Sequence, residues 1–326
     1  MKFGLLLFGR PPEQPMKEVL RDSIAKAKAA NAAGFDAIWV GGSHLGREVQ
    51  GTLLQARLTA HVPGMEMGAL YLLPLEHPIA LAEEISTLDM MCGGRLTVAV
   101  AQGWREFQFN AFGIPSSQRL RRFLETLEAM KELWTKDVVA YRGRYVQVKV
   151  DRPIAKPVSQ PYPRILAAAN ADAGIQRTPA IADGWLISTR ATYPTIEKQA
   201  ALYRDAASTA GKRPAIWAWR EAYVANSRKK AMEVIRPSVQ ALYADRAALG
   251  HGRDLPAADR LDVPFEQILQ DRFIIGDPDQ CEREIRRYEA LGVETIIMRM
   301  QWLGMGQKEA LASIRMMGRE VLPRFK

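Results

Sequence analysis

The chain is expected to fold as an α/β protein built on a closed (β/α)8 barrel, and three observations lead there. Eight strand-like apolar runs alternate with helical stretches along the sequence, the order that produces a parallel sheet covered by helices. The first run, from Lys2 to Phe8, is continuously apolar, as a strand buried on both faces is. No G-x-G-x-x-G fingerprint follows it, which removes the main signal for an open doubly wound sheet. The length of 326 residues suits one large barrel domain.

Taken in order, Arg10-Pro11-Pro12 ends the first strand. A helix over 16–33 carries Leu20, Ile24 and Ala27 on one stripe and is closed by Gly34. The second strand, 35–40, ends in Gly41-Gly42-Ser43-His44. A helix over 51–60 leads to a third strand over 65–73. Pro78 opens the next helix at a position that suits proline, and Gly93-Gly94 stops it. The fourth strand, 95–101, delivers Gln102-Gly103-Trp104 into a loop. The clearest helix spans 117–136, with Phe123, Leu124, Leu127, Met130 and Trp134 on its buried stripe. Residues 138–150 alternate around Arg142-Gly143 and read as a hairpin insertion, followed by a connector with Pro153, Pro157, Pro161 and Pro163. Four more strands are expected over 164–169, 184–188, 215–225 and 294–300. Helices are expected over 172–182, 194–210, 227–249 (Pro237 being the place for a break), 277–291 and 308–322, with a polar loop over 250–264. The whole chain, 1–326, is expected to be one barrel domain with insertions near 138–163 and 250–275.

Composition narrows the function classes. No apolar run reaches the ~18 residues of a membrane span, and the short N-terminal run lacks a cleavage site, so it reads as a strand and not a signal peptide. Cys92 and Cys281 have no paired spacing, which points to a reducing cytoplasm. The net charge is +9, but Lys and Arg are scattered. The clusters Arg119-Arg121-Arg122 and Arg228-Lys229-Lys230 fall on amphipathic helices, where solvated faces explain them. A nucleic-acid partner is therefore not expected, and a mild positive field suits an anionic small molecule better.

In a barrel of this kind the loops after the strands form the site. The polar residues there are Ser43 and His44; Gln102, Trp104, Arg105 and Glu106; Asn170 and Asp172; Ser188, Thr189 and Arg190; and Arg299, Gln301 and Trp302. Arg220 and Glu221 lie inside the seventh run. Alternation along the last strand puts Thr295, Ile297, Arg299 and Gln301 on one face, with Arg299 and Gln301 aimed at the barrel mouth. His44, His61, His77 and His251 have no chelating spacing, so no metal site is expected. Gly42-Ser43-His44 is not a nucleophile elbow. Residues 170–174 run from a strand into a helix start, whose backbone N–H groups suit a phosphate. Asp172 can serve there as the N-cap, with its charge turned away from the phosphate.

A set of motifs, in order along nearly the whole chain, resembles the bacterial luciferase-like flavin-dependent monooxygenase superfamily. They are Ala33-Gly34-Phe35-Asp36-Ala37-Ile38-Trp39-Val40, Leu73-Pro74 with His77-Pro78, and Leu81-Ala82-Glu83. Leu88-Asp89, Gly93-Gly94-Arg95-Leu96, Gly103-Trp104, Phe112-Gly113 and Arg119 continue the set. Tyr141-Arg142-Gly143-Arg144-Tyr145, Ala182-Asp183-Gly184-Trp185 and Gly276-Asp277-Pro278 complete it. The resemblance implies a TIM barrel with insertions, a homodimer, and reduced FMN in the barrel mouth. It implies a strand-three bulge at Ala69-Leu70-Tyr71 against the isoalloxazine, with a non-prolyl cis peptide at Ala69-Leu70. It places Gln102 and Gly103 at the flavin and Asn170, Ala171, Asp172 and Ala173 at its phosphate.

The chain departs from the family after strand two. Many relatives carry a histidine, or an acid–histidine pair, three to five residues past the tryptophan. Here those positions read Gly42, Ser43 and His44. The acid is missing and the histidine stands one place late, so His44 takes the catalytic role after a backbone shift or Ser43 hydrogen-bonds the flavin. The implied reaction is oxygenation: a separate NAD(P)H-dependent reductase supplies reduced FMN, dioxygen adds to it, and the resulting peroxide passes one oxygen to a small organic substrate. Arg299, Arg105 and Gln301 are the expected donors to that peroxide or to an anionic substrate, and Trp104, Tyr71 and Trp302 the walls. Trp185 is expected in the core. Two alternatives stand beside this reading: an oxidoreductase that transfers hydride with a deazaflavin coenzyme, and a flavin-binding protein without catalysis.

Overall fold

The structure is a computed structural model that describes residues 1–7, 14–41, 44–45, 49–248, 250 and 259–326. Phe8, the Arg10-Pro11-Pro12 stop, Gly42, Ser43, His251 and most of the expected 250–264 loop lie outside these residues.

Eleven strands are present among them: β1 (Lys2–Leu7), β2 (Ala37–Val40), β3 (Glu66–Leu72), β4 (Leu96–Ala101), β5 (Val139–Arg142), β6 (Gln147–Val150), β7 (Arg164–Ala167), β8 (Gly184–Ile187), β9 (Ile216–Val224), β10 (Phe273–Gly276) and β11 (Val293–Arg299). Nine of them form one sheet in the order β10-β9-β11-β1-β2-β3-β4-β7-β8, and β9 also pairs with β8. The second pairing closes eight strands into the expected TIM barrel. The ninth strand, β10, is possible because β9 is long. Its first residues pair with β8 (Ile216 to Trp185, Ala218 to Ile187) and its last with β10 (Glu221 to Phe273, Val224 to Gly276). β10 (Phe273–Gly276) falls at the end of the span expected as an insertion and is not among the strands expected from the sequence.

The chain divides into two compact units, 1–39 with 167–326, and 40–166. In the first, the helices are α1 (Met16–Ala32), α6 (Asp172–Ile181), α7 (Tyr193–Thr209), α8 (Arg228–Ala248), α9 (Phe265–Leu269), α10 (Pro278–Ala290) and α11 (Gln307–Met316). Pro237 does not break α8. Asp277 caps α10 through a reciprocal capping box with Gln280, which satisfies two backbone donors that the first helical turn leaves free.

The inner face of this unit is set by tryptophans. Trp39 packs edge-on against Trp217 at 5.9 Å and Trp219 at 6.2 Å. Gly4 lies in the same row as Ile297 and Trp219. A Cβ on Gly4 would stand 3.0 Å from Trp39 Cδ1, so the missing side chain leaves the space the indole fills. One row nearer the strand ends stand Leu6, Arg299 and Glu221. Alternation therefore carries Arg299 to the mouth, as the sequence pattern indicates.

The second unit holds α2 (Gly51–Thr59), α3 (Pro78–Met91), α4 (Glu106–Ala111) and α5 (Arg119–Thr135). Its β3 and β4 pair in unbroken register from Met67–Leu96 to Leu72–Ala101. The bulge expected at Ala69-Leu70-Tyr71 is therefore absent from the pairing with β4. The Ala69-Leu70 bond is also not cis, the cis bond among the described residues being Gln160-Pro161. A regular parallel ladder leaves no extra residue for a bulge to accommodate.

The β5–β6 hairpin is anchored by one buried carboxylate. Glu125 on α5 accepts from the backbone N–H groups of Arg144 (2.9 Å), Tyr145 (2.8 Å) and Val146 (3.0 Å) and from Arg121 Nε (2.6 Å). Burial by itself would push Glu125 up, but the Tyr145 N–H, the Arg121 guanidinium and the other two N–H groups outweigh it and hold the carboxyl at about 2. Gly143 is needed beside it, because a Cβ there would lie 2.6 Å from Glu125 Oε2. The stabilisation is present above the ordinary carboxylate range and is lost as pH falls through the depressed value. Glu125→Gln is expected to cost roughly 2–3 kcal/mol at neutral pH, read from denaturant melts. A loss that stays the same at pH 7 and near pH 2 would contradict this account.

Candidate active site

Each unit presents one polar group at the C-terminal ends of its strands, the face on which barrel enzymes carry their chemistry.

In the 40–166 unit the group centres on His44, just past β2. Its Nε2 lies 2.9 Å from Glu76 Oε1, on the turn after β3. Gln108 on α4, itself buried, donates Nε2 to the His44 carbonyl. The Phe112 ring packs against the imidazole at 4.9 Å. The carboxylate partner of His44 thus stands 32 positions later in the chain. The hydrogen bond to Glu76 raises the His44 pKa, against partial burial and with the carboxylate's charge helping. The pairing stabilises the fold below the raised pKa and its contribution is lost as pH rises through it. Glu76→Gln is expected to return the His44 titration toward the ordinary imidazole range, measured by NMR on the ring protons. An unchanged titration would mean that the pair does not form.

Of the other residues expected here, Ala69 and Tyr71 are buried and Leu70 is half-buried. The Tyr71 hydroxyl lies 3.0 Å from Thr52 Oγ1. Burial holds the phenol protonated far above its usual range, with the Thr52 hydrogen bond pulling the other way. Gln102 and Trp104 are half-buried, and Arg105 lies over the Trp104 ring at 5.3 Å. Gly103 adopts φ +75°, a left-handed conformation that favours glycine, and turns the chain from β4 into α4. Ser43 lies outside the described residues.

In the 1–39/167–326 unit the mouth holds a buried ion cluster. Glu221 Oε1 accepts from Arg299 Nη1 at 3.1 Å and lies 3.5 Å from Arg246 Nη1. Its Oε2 accepts from Trp302 Nε1 at 2.8 Å. Glu221 is 0% exposed and Arg299 4%. Arg299, expected as a donor to substrate, is thus held by a carboxylate 78 residues away. Trp302, expected as a wall, packs in a core cluster with Tyr223, Phe265 and Phe273. Gln301 donates to the Met305 carbonyl at 3.1 Å and accepts from Lys26 Nζ. Arg220, on the opposite face of β9 from Glu221, donates both Nη groups to the Ala191 carbonyl. Trp185 is a core residue, its N–H bonded to the Ala169 carbonyl. The start of α6 has no side-chain cap. Asp172 is turned toward α7, where Gln199 donates to its Oδ1 (3.2 Å) and to the Asn170 carbonyl (2.8 Å). The exposed first turn at Ala171, Asp172 and Ala173 therefore keeps N–H groups for an anion. Among the described residues no cluster of three or more His, Cys, Asp or Glu could hold a metal ion, and no helix is long and apolar enough to cross a membrane.

Sequence reasoning missed Glu76, Gln108 and the Trp39–Trp217–Trp219 group. The tryptophans had a usable signal, because Trp217, Trp219 and Glu221 alternate along β9.

A parallel barrel with polar side chains gathered at its strand ends has the architecture of an enzyme. The family described as luciferase-like monooxygenase matches residues 1–295, and the chain belongs to it. The oxygenase component of the flavin-dependent trigonelline monooxygenase of Acinetobacter baylyi is 25% identical, covering 96% of this chain and 92% of that protein. An F420-dependent glucose-6-phosphate dehydrogenase of Nakamurella multipartita is 26% identical over 77% of this chain and 74% of that protein. The crystal structure of the monooxygenase RslO1 from Streptomyces bottropensis shares the fold, with a TM-score of 0.88, 23% identity and full coverage of both chains. The chain spans about half, 49%, of the length of the first curated relatives it matches. The relatives thus include both a flavin-dependent and an F420-dependent enzyme.

Proposed function

We propose that this chain is a flavin-dependent monooxygenase that takes reduced FMN from a separate NAD(P)H-dependent reductase and oxygenates a small organic substrate with dioxygen. The observation that carries the reading is the His44–Glu76 hydrogen bond. It restores, from a different strand end, the acid–histidine pair that the sequence after strand two lacks. When bound, reduced FMN supplies the electrons that activate oxygen. The protein's work is to bind, orient and exclude water. His44 moves a proton at Nδ1, across the ring from the Nε2 that Glu76 holds, while Glu76 fixes the ring and sets its tautomer. Tyr71, kept protonated by burial, shares its hydroxyl with Thr52 and takes no part as a base. Gln102 and Gly103, with Ala69 and Leu70, are the residues that would hold the flavin ring. The uncapped start of α6, from Asn170 to Ala173, takes the phosphate, and the turn of Asp172 toward Gln199 is the feature that fits that group. Ser43, Trp104, Arg105 and Gln301 complete the substrate-binding set, Trp302 stands behind them in the core, and Arg299 acts from its pair with Glu221.

The deazaflavin alternative, hydride transfer without oxygen, is favoured by the Nakamurella relative, since the α6 start suits either cofactor's phosphate. A homodimer through α2 and α3 would cover Leu53, Met90 and Met91, which are 71%, 56% and 55% exposed. Fluorescence titration with oxidised FMN, reduced FMN and a deazaflavin coenzyme tests the cofactor. Tightest binding of reduced FMN is expected, and binding of the deazaflavin alone would overturn the proposal.

A further inference from the structure

A second polar pocket lies between α1 and the segment that joins β11 to α11. Its volume is about 190 Å³ and its walls include Asp22, Ser23, Lys26, Gln301, Trp302 and Gln307. That is several times the ~30 Å³ share of one water and below the ~300 Å³ of a site for drug-sized ligands. The contents must be small, and larger than one water.

The pocket holds an acid and a base that do not meet. Asp22 and Lys26 stand one turn apart on α1, yet among the described residues no ion pair joins them. Asp22 Oδ2 accepts from Gln14 Nε2 at 2.8 Å, and Arg21, itself 70% exposed, donates to Oδ1 at 3.2 Å. Lys26 is only 8% exposed and donates to the neutral amide oxygen of Gln301. An ammonium has three donors, and Gln301 is the acceptor Lys26 has among the described residues. Burial pushes Lys26 down to about 8, with the Asp22 charge opposing. Gln307 shows the complementary lack. Its Nε2 donates to the Asp22 carbonyl at 3.0 Å, while its Oε1 is buried without a partner. The pocket thus offers a buried cation short of acceptors, and a carboxylate and an amide oxygen able to accept.

We infer that this pocket binds a small zwitterion, an α-amino acid with a short side chain. The ligand carboxylate meets Lys26 Nζ, and its ammonium lies between the Asp22 carboxylate and Gln307 Oε1. An α-amino acid carries its two charges a few ångströms apart, and four residues of helix separate Asp22 from Lys26 by about 6 Å along the axis. Neither a simple anion nor a simple cation satisfies both ends. Gln301 also stands in the substrate-binding set proposed above, so the site adjoins that reading, but the test needs no flavin and its failure leaves that reading untouched.

Isothermal titration calorimetry on the purified full chain tests it with glycine, L-serine, acetate, methylammonium and L-phenylalanine. Saturable binding of glycine or L-serine is expected, at least tenfold tighter than acetate or methylammonium, with L-phenylalanine excluded. Lys26→Met is expected to remove the binding. Gln307→Leu, at a half-exposed position, is expected to weaken it at least threefold with an unchanged melting temperature, which covers the case in which the lysine variant misfolds. Acetate binding as tightly as glycine would make this a plain anion site and overturn the inference. Absence of binding by all five probes would leave the pocket to solvent and overturn it equally.

Discussion

Glu221→Ala is expected to destabilise the protein by about 3–5 kcal/mol, the largest single effect on folding among the residues of the site. Glu221 is fully buried and receives Arg299, Arg246 and the Trp302 indole on its two oxygens. Removing it takes a buried counterion from two guanidinium groups, of which Arg299 is 4% exposed, and losing a buried counterion is far costlier than the pair itself is stabilising. Glu221→Gln keeps an acceptor for the indole and is expected to cost less, because only the charge is lost. Urea melts of both variants against the parent check this. A loss below 1 kcal/mol for the alanine variant would show that water reaches the arginines and that the cluster is not a closed one.

The largest expected effect on activity belongs to His44. If it moves the proton, His44→Ala lowers turnover by about 10²- to 10⁴-fold with little change in stability, since the ring is partly exposed. Glu76→Gln is expected to fall between the parent and His44→Ala, and to shift the pH profile of turnover downward along with the His44 titration. Turnover of His44→Ala within twofold of the parent would remove this histidine from the chemistry. It would leave Glu76 a structural partner only.

The fold was legible because its signals are local. The α5 stripe Phe123, Leu127, Met130 and Trp134 recurs at helical spacing, and all four side chains are buried. The alternation in β11 likewise carries Arg299 and Ile297 to one face. What escaped was short or long-range. Four residues of β10 and six of α4 are too few for a period to emerge. The partners Glu76 for His44, and Glu221 for Arg299, lie 32 and 78 positions away, and nothing local to either residue selects them. The expected Ala69-Leu70 distortion came from the resemblance to relatives, not from the residues themselves. The regular β3–β4 register is what this chain has in its place.

The most direct test is to mix the anaerobic complex of the protein and reduced FMN with oxygenated buffer in a stopped-flow spectrometer, with a deazaflavin coenzyme as the parallel arm. A flavin monooxygenase consumes oxygen, and the protein slows and resolves the reoxidation into a transient absorbing species before oxidised flavin appears. His44→Ala is expected to shorten the life of that species. Reoxidation indistinguishable from free reduced FMN, together with binding and reduction of the deazaflavin alone, would contradict the account and assign the chain to hydride transfer.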